Sequence, residues 1–146
     1  MGKDSRLESN KATVRQMLGD INEGNIAGFV QALSEKYVRH CQAMPPPMQE
    51  LHGREAMEQW LKANKETFPD YHEEVEFLVA EGDVVAWRSR GSGTQRGGLG
   101  PFPATGKRME IVIIGMHRFE GDKVAETWTS WDNVTALMQL GLLPGA

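Results

Sequence analysis

The chain has 146 residues, enough for one domain with a real core and room for a pocket inside it. Its net charge is −4 and its basic residues are scattered, which argues against a nucleic-acid partner, since that would require a clustered basic face. No stretch approaches the length of a membrane span, the single cysteine, Cys41, has no disulfide partner, and the opening Met-Gly-Lys-Asp-Ser-Arg has neither an apolar signal region nor the Ser or Thr of a myristoylation motif at Arg6, so a reducing, cytoplasmic setting is expected.

Residues Met1 to Glu8 are polar and expected to be disordered, leaving residues 9–146 as a single domain. From Ser9 or Asn10, either a suitable N-cap, the apolar residues Val14, Met17, Leu18 and Ile21 recur at helical spacing, which predicts a helix to about Asn22, ended by Gly24. Asn25 caps a second, shorter helix whose apolar side is Ile26, Phe29, Val30 and Leu33. Tyr37 to His40 reads as a short strand. Met44-Pro-Pro-Pro-Met48 is an extended loop, because three consecutive prolines enter neither a helix nor a central strand. Gly53 opens a third helix carrying Met57, Trp60, Leu61 and Phe68, stopped by Pro69.

Strands follow: Tyr71 to Glu81, Asp83 to about Gln95, Lys107 to Glu120, and Lys123 to about Asp132, with a tight turn at Gly82-Asp83. A short helix, Val134 to Leu140, ends at Gly141, and Pro144 blocks its continuation. Helices first and an antiparallel sheet afterwards is an α+β arrangement, with a strongly curved sheet wrapped on three N-terminal helices.

Glycine first in the two-residue loop Gly121-Asp122 is the signature of a type II′ hairpin turn, which pairs Glu120 with Lys123. An unbroken ladder then sets His117 opposite Glu126, Gly115 opposite Trp128, Ile113 opposite Ser130 and Ile111 opposite Asp132, all on one face. In that register Gly115 makes room for the Trp128 indole, while Val112, Ile114 and Met116 share the other face with Trp131. Both faces are apolar and need cover, so a homodimer is expected.

The acid at the end of the last strand, Asp132, is the candidate catalytic group. An apolar wall of Trp128 and Ile111 would raise its pKa toward neutrality, letting one carboxyl take a proton from carbon and deliver one to oxygen. The competing reading is that Asp132 or Asn133 caps the short helix behind it. His117 is set apart from Asp132 by six residues of strand, roughly 20 Å, and is read as a cross-strand partner of Glu126. His40, Arg88 and Trp60 are candidates for substrate binding, alongside Trp128 and Ile111. Trp60, Met57 and Phe29 are helix core first and pocket wall second.

The segment from Gly91 to Lys107 is glycine-rich, but Gly100 to Lys107 has one residue too many for a phosphate loop, and Arg108 stands where a magnesium-binding hydroxyl is needed. It is read instead as a mobile loop closing over something. His40, His52, His72 and His117 lack paired ligand spacing, so no metal is expected.

Three features together carry a family resemblance: Pro103-Ala-Thr-Gly-Lys107 leading into a long strand, the run Arg118-Phe-Glu-Gly-Asp-Lys-Val-Ala-Glu126 continuing to Trp128 and Asp132, and Gln139-Leu-Gly-Leu-Leu-Pro144. The chain resembles the SnoaL-like polyketide cyclases from its first helix onward. The resemblance implies a cone of the nuclear-transport-factor type around a deep apolar pocket, assembled as dimers or higher oligomers. It also implies closure of a ring in an apolar, carbonyl-bearing small molecule by intramolecular aldol addition, without metal or cofactor, with the acid matching Asp132 as general acid/base. One departure is Thr94-Gln95, where many relatives place a histidine after Gly-Thr. The alternatives are a non-catalytic small-molecule-binding protein, another acid/base reaction such as isomerisation, dehydration or epoxide hydrolysis, and an interaction module using the outer face of the sheet.

Overall fold

The computed structural model describes residues 2–143, so Pro144, the expected block to the last helix, lies outside the described residues. Among the described residues the α-helices are α1 (Lys3–Glu23), α2 (Ile26–Gln31), α3 (Arg54–Thr67) and α4 (Asn133–Gln139), and the proline segment is not extended throughout: Pro46–Met48 form a single 3-10 turn, whose first positions suit the fixed φ of proline. The strands are β1 (Leu33–Cys41), β2 (Glu50–His52), β3 (His72–Glu81), β4 (Val84–Thr94), β5 (Arg108–Glu120) and β6 (Lys123–Trp131). None of these helices is long and apolar enough to cross a membrane.

The fold is α+β, as the sequence predicts, with departures at Leu33, which opens β1 instead of closing α2, at the start of α1 and in the sheet. Helix α1 starts at Lys3 instead of Ser9, because the polar opening segment contains helix formers, with Asp4 complementing the first turn and Glu8 paired with Lys11 at 2.9 Å. The sheet is mixed, in the order β2-β1-β6-β5-β4-β3, and β1 runs parallel to β6 while every other neighbour is antiparallel. The three-residue strand β2, after the proline loop, gives no periodic signal of its own.

The inner face of the sheet carries two apolar clusters. Val14, Met17, Phe29, Met57 and Leu61 of the helices meet Leu33, Tyr37, Val85, Phe119 and Val124 of the sheet. In the second, Phe68, Trp87, Met109, Ile111 and Ile113 meet Ala136 of the terminal helix and Leu140 at its C-terminal cap. The gap between these clusters is where the functional site forms.

Local sequence sets the register. At the β5–β6 turn Gly121 has φ 62° while Asp122 does not, as a type II′ turn requires, and Glu120 pairs with Lys123. One step later Phe119 pairs with Val124 but Arg118 with Glu126, so Ala125 is an extra residue on β6. This bulge shifts the rest of the ladder by one, and a one-residue slip turns every following side chain to the other face. His117 therefore faces Thr127, Met116 faces Trp128, Gly115 faces Thr129 and Ile113 faces Trp131. A Cβ on Gly115 would stand 2.5 Å from Cη2 of Trp87, so its vacancy accommodates Trp87 on β4 and not the expected Trp128.

The glycine-rich loop between β4 and β5 is anchored instead of closing over a site. The N–H groups of Arg96 and Gly97 donate to the Thr67 carbonyl at the end of α3, and the Thr67 hydroxyl donates to the Gly98 carbonyl. Buried Gln95 ties the loop to itself, donating to the Pro103 carbonyl and accepting from the Thr105 hydroxyl.

Candidate functional site

A cavity of about 110 Å³ lies between α1, α2 and α3 and the inner face of the sheet. Val14, Met17, Met57 and Trp60 line it from the helices, and Trp87, Ile113 and Trp131 from the sheet. Into this apolar lining project a few polar side chains: Arg39, Tyr71, Glu73, His117, Thr127 and Thr129.

Glu73 is the acid of this cavity. Along the start of β3, period-two alternation turns Tyr71, Glu73 and Val75 inward and leaves His72 and Glu74 exposed. The Tyr71 hydroxyl donates to Oε1 of Glu73 at 2.6 Å, and the Ser89 hydroxyl, on the adjacent strand, donates to Oε2 at 2.8 Å. Asn22 at the end of α1 clamps the Glu73 backbone from both sides, donating to its carbonyl and accepting from its N–H, each at 2.8 Å. Burial pushes the Glu73 carboxyl above the usual carboxylate range, and the two hydroxyls offset part of that rise. Burial likewise pushes the Tyr71 phenol well above its ordinary value, and the neighbouring Glu73 adds to the effect. Gly91 permits this pairing, because a Cβ there would meet the Tyr71 hydroxyl at 2.7 Å.

Across the cavity His117 is buried and stacked on Trp87, with ring centroids 4.3 Å apart and an interplanar angle of 16°. Its Nδ1 lies 2.7 Å from the Thr127 hydroxyl. Burial lowers its pKa to about 3, so near neutral pH it is an uncharged imidazole that exchanges hydrogen bonds without contributing a cation. Beside it the Tyr37 phenol is pushed up to about 12 by burial, an effect partly offset by Thr127 and by the charge of Arg39. Arg39 itself is 2% exposed, with its Cζ 4.2 Å above the Trp60 ring.

The residues singled out from sequence divide between this cavity and the outside. Trp60 is on the cavity wall. Ile111 is buried, but in the cluster beneath α4 and not on the cavity. Asp132 is a correction: it is exposed and caps α4, accepting from the Thr135 N–H at 3.1 Å and from its hydroxyl at 2.7 Å. Those hydrogen bonds hold its carboxyl below the usual range, the opposite of what a reluctant proton carrier needs.

Trp128, His40 and Arg88 are corrections too, because all three lie on the outer face. The slip at Ala125 sends Trp128 there, where it stacks on His40 at 5.6 Å, and brings Trp131 inward. His40 Nε2 is 2.6 Å from Glu126 Oε2, and Arg88 pairs with Glu76. Glu126 serves His40 and Arg118, not His117.

The sequence reading passed over Glu73, Tyr71, Ser89 and Arg39. A signal existed for the first two, since Tyr71-x-Glu73-x-Val75 sets a carboxyl in phase with an aromatic and an aliphatic residue.

The comparisons with known proteins agree with the architecture. The family model described as SnoaL-like polyketide cyclase matches residues 12–140. A candidate polyketide cyclase from Streptomyces antibioticus, IdmH, is 28% identical, with 90% of this chain and 98% of that one covered and a TM-score of 0.78. AclR, a candidate hydroxylase from Streptomyces galilaeus, is 26% identical over 96% of this chain and 85% of that one, with a TM-score of 0.83. A candidate SnoaL-like polyketide cyclase from Jannaschia sp. CCS1 shares the fold at a TM-score of 0.86 with 18% identity, covering 99% of both chains. No curated protein sequence matches at a significant level.

Proposed function

Since this chain belongs to the SnoaL-like polyketide cyclase family, we propose that it is a cofactor-independent acid/base enzyme in which Glu73, and not Asp132, moves the proton. The observation that carries this reading is a carboxyl buried on the wall of an apolar cavity, its pKa raised by that burial and its two oxygens oriented by the Tyr71 and Ser89 hydroxyls. In an intramolecular aldol closure, the Glu73 carboxylate takes a proton from the carbon beside one carbonyl. The enolate carbon then attacks the second carbonyl to form the new C–C bond. The resulting alkoxide takes the proton back from the Glu73 carboxylic acid, so no proton is gained or lost. Neutral His117 and the hydroxyls of Thr127 and Thr129 are the groups on the cavity suited to orienting the carbonyl oxygens.

The first half of this cycle is testable without the natural substrate. Exchange of the α-protons of cyclopentanone in D2O, followed by NMR, reads proton abstraction directly, and Glu73→Gln is expected to reduce the protein-dependent rate by about 10² or more while Asp132→Asn leaves it intact. Undiminished exchange by Glu73→Gln removes Glu73 from the chemistry.

A second reading, a non-catalytic binding protein, is favoured by one observation: both Glu73 oxygens already accept hydrogen bonds within the protein. It predicts no exchange above buffer by the wild type. The assembly we propose is a homodimer through the outer face of the sheet, where Phe77, Val79, Ile114 and Met116 are exposed together.

A further inference from the structure

Arg39 stands near the C-terminal end of β1 with its side chain turned inward, 2% exposed, on the wall of the cavity. Its Nε and Nη2 are buried without any hydrogen-bond partner among the described residues. No carboxylate among the described residues lies within ion-pair distance of it, although acids pair with Arg88, Arg90, Arg108 and Arg118 on the outer face. The other charged side chain on the cavity, Glu73, is engaged by Tyr71 and Ser89.

A guanidinium taken out of water and left unpaired is costly, and the cost shows as a pKa pulled down by burial. Stacking over Trp60 offsets only a fraction of it, because an aromatic face attracts a cation far more weakly than an anion does. Apolar neighbours that bury a cation without neutralising it form half of an ion pair. The missing half has to be an anion that also accepts an apolar environment, and a planar carboxylate matches the planar fork of an arginine.

We propose that the ligand of this cavity carries a carboxylate that pairs with Arg39, attached to a compact ring or similar apolar group lying against Trp60 and the sheet. This rests on the reading of the cavity as the ligand site, and narrows the substrate class from apolar carbonyl compounds to apolar acids. The cavity, about 110 Å³, is smaller than an engineered apolar cavity of about 150 Å³ known to hold benzene, which limits the apolar group to a single ring at most.

The test uses benzoate and its neutral counterpart benzamide, titrated calorimetrically into the wild-type protein and into Arg39→Met and Arg39→Lys. Wild type is expected to bind benzoate about tenfold or more tightly than benzamide, as a charge-assisted hydrogen bond requires. Arg39→Met should abolish the preference, and Arg39→Lys should retain part of it. Arg39→Met should also raise the melting temperature by about 2–4 °C, because an uncompensated buried charge has been replaced by an apolar chain of similar length.

Equal binding of the two probes by wild type, a preference that survives in Arg39→Met, or a fall in that variant's melting temperature would each overturn the carboxylate assignment, leaving the Glu73 chemistry untouched. Failure of both probes to bind would overturn the cavity as a ligand site and the assignment with it. The wild-type comparison needs no variant to fold. A carboxylate preference alongside undiminished exchange by Glu73→Gln would uphold this inference while removing the acid/base one.

Discussion

Acid should destabilise this protein through His117, and the size of the effect can be worked out. The imidazole has an ordinary pKa of 6.5 and a folded-state value of about 3, lowered by burial. A histidine held neutral in the folded state contributes stability that is fully present above pH 6.5 and is lost as the pH falls toward 3, because the unfolded chain takes up a proton that the folded one refuses. Each pH unit in that window is worth about 1.36 kcal/mol. Between 6.5 and 4 the loss is thus about 3 kcal/mol, a large share of a typical domain's stability.

The assay is urea unfolding followed by tryptophan fluorescence at pH 7, 6, 5 and 4, for wild type and His117→Gln, which keeps a group able to reach the Thr127 hydroxyl. Glu73 works in the opposite sense: its raised folded pKa means that its contribution grows as the pH falls through that value toward 4.5. Being common to both proteins, it cancels in their difference. Wild type minus variant should therefore shrink by about 3 kcal/mol from pH 7 to pH 4. Parallel stability curves, or an NMR titration of His117 near 6.5 in the folded protein, would show that the fold does not hold this imidazole neutral.

Three further outcomes follow from the geometry. Gly115→Ala should cost about 2 kcal/mol in urea unfolding, because the new methyl would stand 2.5 Å from the Trp87 ring and 2.6 Å from the Trp128 carbonyl, with the backbone unable to yield cheaply. Ile114→Lys puts a charge in the exposed apolar patch of the sheet, and sedimentation should show a dimeric wild type becoming monomeric; a monomeric wild type, or a variant of unchanged mass, removes that face from the assembly. Asp132→Ala should lower the melting temperature through loss of the α4 cap and leave α-proton exchange as it was, whereas a loss of exchange with the fold intact would return that residue to the mechanism.

Much of the fold was legible because it depends on local rules. Asn25 accepts from the Gly28 N–H as a cap should, Gly53 and Gly24 bound their helices, and the Gly121-Asp122 turn pairs the residues it predicts. The site was less legible because it depends on parity. A single inserted residue, Ala125, reverses which side chains of β6 face the cavity, exchanging Trp128 for Trp131 and bringing Thr127 and Thr129 inward. Glu76 does the same to β3, where Val75 pairs with Ser89 but Phe77 with Arg88. Alternation within a strand is visible in a sequence, but a bulge is decided by packing on both sides of the sheet. Arg39 was hidden for a related reason: Tyr37, Arg39 and Cys41 alternate inward along β1, and nothing local announces that a cation at such a position is left without a partner.

The parallel pairing of β1 with β6 bears on how the molecule reaches its native state. Val38 sits beside Glu126, 88 positions further along the chain, whereas β3 to β6 form by successive hairpins between neighbours. The hairpins can close early at little entropic cost, and the long-range seam must wait for a much larger loop to close. Until it does, β1 and β6 each present a row of unsatisfied backbone groups, which makes that interval the one in which refolding chains are most prone to stick to one another.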